Sequence, residues 1–272
     1  MRMCFAFAAA VSAAVLLTAA TAASGAVAYV NGSTRAQSQA NATLGGVPDD
    51  PPAAIDPESS ATLPVGPIHS NTLEIAFPGT PPAGVVASNA ETAVETFASA
   101  ASGTIVFTGA SSITIGPAAP APSSGEAFGY DSSTYSFTVD ANENFVLGYN
   151  VLATGDGAGG TYYAALVGPS GNVFADILNN VSGTQSELLT PGAYELDLNS
   201  LGEPTHPHHS VDYLSLSGPG SLSETANGDF TFDISAVPEP GAWAMMLLGA
   251  FAAGGALRLA RRHRTGAPAA AR

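Results

Sequence analysis

The sequence predicts a mainly β protein, an antiparallel β-sandwich carrying one short helix, with a membrane-directed segment at each end. Three observations predict it: apolar and polar residues alternate with period two in many short stretches between about 61 and 236, turn residues mark the breaks, and both termini hold apolar runs. The counts of Gly 30 and Pro 20 reinforce the turn-rich reading.

Taking the elements in order, Arg2 precedes an apolar run from Met3 to Ala20, which gives way to the small residues "TAASGAVA". Charged, apolar and small-residue regions in that order read as a secretory signal over residues 1–28. Ala26 and Ala28 form an A-x-A site, so signal peptidase is expected to cut before Tyr29, with Ala20-Thr21-Ala22 as the alternative. Residues 29–60 are polar, small and broken by proline, and read as a flexible linker.

The body is expected over 61–236. Tyr135, Phe137 and Val139 alternate with hydroxyl residues; Phe145, Leu147, Tyr149 and Val151 share a face; so do Tyr194, Leu196 and Leu198, and likewise Phe230, Phe232 and Ile234. Each set reads as a half-buried strand. "TYYAALVG", "NVFADIL" and "VDYLSLSG" add three strands, and "NTLEIAF", "GTIVFTG" and "SSITIG" three more upstream. Turns are expected at Gly168-Pro169-Ser170-Gly171, Pro191-Gly192 and Asn227-Gly228.

The one helix is expected from Ser88 to about Ala101. Ser88 and Glu91 have capping-box spacing, Val94, Phe97, Ala98 and Ala101 make an i, i+3, i+4, i+7 stripe, and Gly103 supplies a stop. "GPAAPAPSSG" at 116–125 is either a long loop or a sub-boundary, and a loop is the better reading because the upstream strands and helix would bury little alone.

Charge is unevenly placed. Between Tyr29 and Pro238 stand 21 Asp and Glu against the single Arg35, a net −20, although the whole chain carries −15. That field repels phosphate backbones, so no nucleic-acid partner is expected. Cys4, the one cysteine, lies in the N-terminal apolar run, which leaves the body no disulfide and no thiol chemistry.

Candidates for chemistry in the body are few. His206, His208 and His209 in "THPHHS" bring metal-capable nitrogens together, though the proline between them holds that segment extended. Asp140, Asn142 and Asn144 share the 1, 3, 5 spacing of a calcium loop, but Phe145 stands where such a loop needs glycine. No nucleophile elbow, phosphate loop or zinc-protease motif is present, so the expectation is a protein without cofactor and without enzymatic activity. A secreted polysaccharide hydrolase working through paired carboxylates is the alternative.

At the C-terminus, Pro240 to Leu257 carries no charge. A spanning helix is expected at about 241–260, with Trp243 at one interface and Arg258, Arg261, Arg262 and Arg264 holding 265–272 in the cytoplasm as a short tail. Pro238, Glu239 and Pro240 keep the preceding backbone extended. This order of Pro-Glu-Pro, tryptophan, apolar run and arginine cluster over 237–264 resembles the PEP-CTERM sorting signal of Gram-negative bacteria.

That resemblance implies processing by an exosortase, transient residence in the inner membrane, and delivery to the surface or to an extracellular polysaccharide matrix. A permanently anchored periplasmic protein is the other outcome such a tail allows. It says nothing of the body, where "YSFTVDANENFVLGYNV" through "LLTPGAYELDL" looks like the jelly-roll-type accessory sandwiches of secreted bacterial proteins.

Overall fold

The computed structural model of the 272-residue chain describes residues 26–48, 53–55, 58–60, 67–76, 83–156, 161–201, 213–237 and 248–254. Residues 26–235 make one compact unit, while 1–25 and 236–272 fall in another. The first unit is a mainly β, sandwich-like body whose printed strand pairs are all antiparallel.

Strands are numbered in chain order. Across the first sheet run β11 (Gly171–Asn179), β10 (Thr161–Gly168), β13 (Gly192–Leu201), β8 (Ser124–Val139), β1 (Val27–Leu44) and β2 (Val47–Pro48). Off that path, β14 (Leu214–Ser217) pairs with β8, and β3 (Ala53–Ile55) and β4 (Glu58–Ser60) pair with β1. The second sheet runs β12 (Ser182–Leu189), β9 (Glu143–Gly155), β15 (Gly220–Ala236), β7 (Ser102–Ile115), β6 (Val85–Ser99) and β5 (Pro67–Ala76).

The two inner faces meet over aromatic rings. Phe97 stacks on Tyr135 at 4.8 Å between centroids, and Tyr135 also meets Tyr29 at 5.3 Å and Phe232 at 4.8 Å. Phe137 stacks on Tyr194 at 5.7 Å, and Phe107 on Tyr162 at 5.6 Å. Such pairs add attraction beyond the area they bury. These rings fill the larger of two apolar clusters; the smaller gathers Ala40, Val85, Ala87, Ile113, Ala127 and Leu214.

The turn chemistry sits where glycine and proline place it. Gly168-Pro169-Ser170-Gly171 joins β10 to β11, and Pro191-Gly192 opens β13. Just after that turn the Tyr194 hydroxyl donates to the Thr190 carbonyl at 2.8 Å and accepts from the Thr190 amide at 3.1 Å, closing a tight corner between the sheets. Asn180, in left-handed backbone at φ 45, turns the chain from β11 to β12, and its side chain accepts from the Ala153 amide at 2.6 Å.

Four expectations are corrected. The helix from Ser88 is strand β6, whose inward side reads Ala87, Asn89, Glu91, Ala93, Glu95, Phe97. Three of those six are polar, so the alternation has no apolar signature, while Val85, Val86, Thr92, Val94 and Thr96 favour extended backbone. The linker expected at 29–60 contains β1, paired along its length with β8, with Thr34, Ala36, Ser38 and Ala40 wholly buried. Its inward residues are small, and a strand of small residues looks like a linker.

Asn227-Gly228, expected as a turn, lies inside β15. A Cβ on Gly228 would meet the Tyr162 ring at 3.0 Å and the Phe230 ring at 2.9 Å, so this glycine makes room for rings. "GTIVFTG" and "SSITIG" are one continuous strand, β7.

The segment at 116–125 is a connection within the first unit. Its neighbours hold it: the Gly46 amide donates to the Pro122 carbonyl at 2.7 Å, and the Gly218 amide to the Ser123 carbonyl at 3.0 Å. In the second unit residues 248–254 are helical (α1). Among the described residues no helix is long and apolar enough to cross a membrane, and most of the span expected at 241–260 lies outside them.

Candidate functional site

The chemistry-bearing residues that the structure brings together lie between the sheets. Register fixes the rows on the second sheet: Asn89 stands opposite Ser111, which stands opposite Glu224; the next inward row is Glu91, Gly109 and Ala226. On the first sheet Ser38 faces Gly129 and Ala36 faces Asp131 across the strand pair. All the polar members of these rows are buried. The rows separate the small apolar cluster, which begins at Ala87 and Ala127, from the large one, which begins at Ala93 and Ala36.

Glu91 spans this polar seam. Its carboxylate accepts from the Asn89 amide at 2.8 Å, and the same amide donates to the Ser111 hydroxyl at 3.1 Å. Two glycines make space for it. A Cβ on Gly109, its cross-strand partner, would come within 2.7 Å of Oε2, and one on Gly129, in the opposing sheet, would overlap the Glu91 side chain. Only a missing Cβ on each side lets a glutamate lie flat in so narrow a space.

Glu95, two residues on, occupies the next inward position and receives the Ser133 hydroxyl from β8. Burial pushes its carboxyl above the ordinary range, and the nearby hydroxyls of Ser133 and Thr34 offset part of that. Glu95 Oε2 is buried away from water, which adds to the cost of charging this group. Burial likewise raises the Tyr135 hydroxyl, with Tyr29 and Glu95 adding to it.

Could these carboxylates do acid–base work? Paired acids of a glycosidase flank a bond that substrate brings between them. Glu91, Glu95, Asp131 and Glu224 are each at most 2 % exposed, so a sugar polymer has no access to them as they stand. Their role in this arrangement is to carry the polar seam. Among the described residues no three His, Cys, Asp or Glu side chains are grouped to hold a metal ion.

The sites expected from sequence fall as follows. Asp140 and Asn142 are in the turn between β8 and β9, and Asn144 is on β9 opposite Leu188. Asp140 accepts from the Ala26 amide at 2.6 Å. Glu143, beside it, is buried and its carboxyl is raised, by burial first and by Asp140 second. Ala28 pairs with Thr138 at the start of β1, and a cut before Tyr29 would spare the Tyr29 ring that packs on Tyr135. His206, His208, His209, the tripeptide Pro238-Glu239-Pro240, Trp243, Arg258, Arg261, Arg262 and Arg264 lie outside the described residues.

The polar seam is what sequence reasoning missed. Its signal was present in the pairing of Asn89, Glu91 and Glu95 at strict period two, which a strand places on one face. Compared with models of known protein families and with curated proteins, the chain shows no match to either.

Proposed function

We propose that this chain is a non-enzymatic protein that is exported, sorted at its C-terminus by an exosortase, and displayed at the cell surface or in an extracellular polysaccharide matrix. One observation carries the reading: the tail from Val237 holds Pro-Glu-Pro, tryptophan, an apolar run and an arginine cluster in that order, resembling a PEP-CTERM signal. The fold supports it by position. The body ends at Ser235 and β15 at Ala236, so the tripeptide follows the last strand almost at once. Six of the seven basic residues lie outside the body, and five of those follow the tripeptide. The arginines behind the apolar run orient the chain by the positive-inside tendency.

Consecutive strands also cross between the sheets, β8 to β9, β9 to β10, β11 to β12 and β12 to β13, which supports the jelly-roll-like reading of the body. Such a body is a binding or structural module, and signal peptidase and the exosortase are its processing partners.

The test is substitution in the native host. Changing Pro238, Glu239 and Pro240 together to alanine should leave export intact and hold full-length protein in the inner membrane. Changing Arg258, Arg261, Arg262 and Arg264 to glutamine should instead weaken retention and release some unprocessed chain. Normal surface delivery of the tripeptide variant would remove the sorting reading.

A further inference from the structure

Two peptide bonds near the N-terminus suit signal peptidase equally by sequence: Ala20 and Ala22 precede one, Ala26 and Ala28 the other. The fold does not treat them equally. Val27 pairs with Val139, Ala28 with Thr138 and Tyr29 with Phe137, after which the register shifts between Tyr29 and Asn31. Those three pairs are all that β1 makes with β8 on that side of the bulge. Val27 is half-buried against the large apolar cluster, and the Ala26 amide donates to the Asp140 carboxylate at 2.6 Å.

A cut after Ala28 would remove two of the three pairs. Tyr29 would then be held to β8 by a single pair beyond a bulge, with a charged α-ammonium where its peptide nitrogen now stands. Chain ends fray unless a strand ties them down. Fraying matters here because the Tyr29 ring lies 5.3 Å from that of Tyr135, which is wholly buried. On the other edge of β8, Gly192, Ala193 and Tyr194 of β13 pair with the same Val139, Thr138 and Phe137. Losing Val27 and Ala28 would open the β1 side of a strand that is otherwise paired on both edges, next to Val139, which is 4 % exposed.

We infer that signal peptidase cuts after Ala22, so that the mature chain begins at Ala23 and keeps β1 whole. The inference rests on the export reading above and commits it to one of its two sites. The compact body starts at Ala26, so this cut spares every pair of β1. Access favours it as well. A peptidase cleaves backbone that is free of a ladder, and once β1 has paired with β8 the bond after Ala28 is inside one, whereas the bond after Ala22 precedes the body.

The experiment is peptide mapping of the full gene product recovered from the surface of the native host. There is no lysine in the chain and no arginine between Arg2 and Arg35, so trypsin reports the mature N-terminus as a peptide ending at Arg35. A peptide Ala23–Arg35 is expected. Ala22→Leu puts a bulky side chain where the peptidase needs a small one and should raise the uncut precursor about fivefold or more, while Ala28→Leu, at an exposed position, should leave cutting unchanged. Val27→Ser should lower the melting temperature of the recovered protein by about 2 °C or more, because that residue stays in the mature chain.

A peptide Tyr29–Arg35 would overturn the inference. So would blocked cutting in Ala28→Leu, unaltered cutting in Ala22→Leu, or a melting temperature that Val27→Ser leaves unchanged. A start at Ser24, Gly25 or Ala26 would overturn the assignment to Ala22. Recovery of Met3–Arg35 would mean that the leader is not cut at all, and the export reading would fall with the inference.

Discussion

Gly129→Ala should destabilise the body by roughly 2–5 kcal/mol, summing the cost of an overpacked core and of a disturbed buried hydrogen bond. The new methyl group would overlap the Glu91 side chain. Glu91 would have to leave the Asn89 amide that it now accepts at 2.8 Å. The effect should be non-additive. Removing the obstacle in Glu91→Ala/Gly129→Ala should leave the double variant more stable than the sum of the two single losses, by about 1 kcal/mol or more. Urea unfolding of the four proteins measures this. A fully additive cycle would mean that the glycine is there for another reason.

Acidification should stabilise the protein. Glu95, Glu143 and Asp197 all hold their protons to higher pH in the folded chain than ordinary carboxylates do, each chiefly because of burial. Between the unfolded and the folded pKa the folded state binds more protons, so unfolding becomes easier as pH rises through that window. Their contribution is complete below the ordinary carboxylate pKa and is lost as pH rises through the raised values of the folded chain. Relief of repulsion within a body of −20 acts in the same direction.

The melting temperature should therefore be several degrees higher at pH 5 than at pH 7.5, both above the sequence pI of about 4.3. Glu95→Gln keeps an acceptor for the Ser133 hydroxyl while removing the charge, and should flatten part of that slope. A melting temperature that climbs with pH would contradict the raised carboxyls of Glu95, Glu143 and Asp197.

How much of this could be read beforehand depended on what each strand turns inward. β8, β9, β13 and β15 bury Tyr135, Phe145, Leu196 and Phe230, large apolar residues whose period of two is plain in the sequence. β1 and β6 were hidden for one reason. They turn small and polar side chains inward, Thr34, Ser38, Asn89 and Glu91 among them, because the polar seam runs between them.

A buried glutamate in a strand mimics the polar face of a helix until its partners across the sandwich are known. Those partners, Gly129 and Ser133, are 38 residues from Glu91 and Glu95 respectively, and nothing local announces them. The tail from Val237, by contrast, is contiguous, so its order of residues stands in the sequence without any partner strand.

The central claim is that the chain is cut at Pro238-Glu239-Pro240, and the intact mass of protein recovered from the surface of exosortase-bearing host cells tests it most directly. A mass for a chain beginning at Tyr29, or at Ala23 if the alternative signal site is used, and ending at or within that tripeptide is the expected result. Surface protein whose mass runs through Trp243 and the arginines to Arg272 would contradict it and make the tail a permanent anchor.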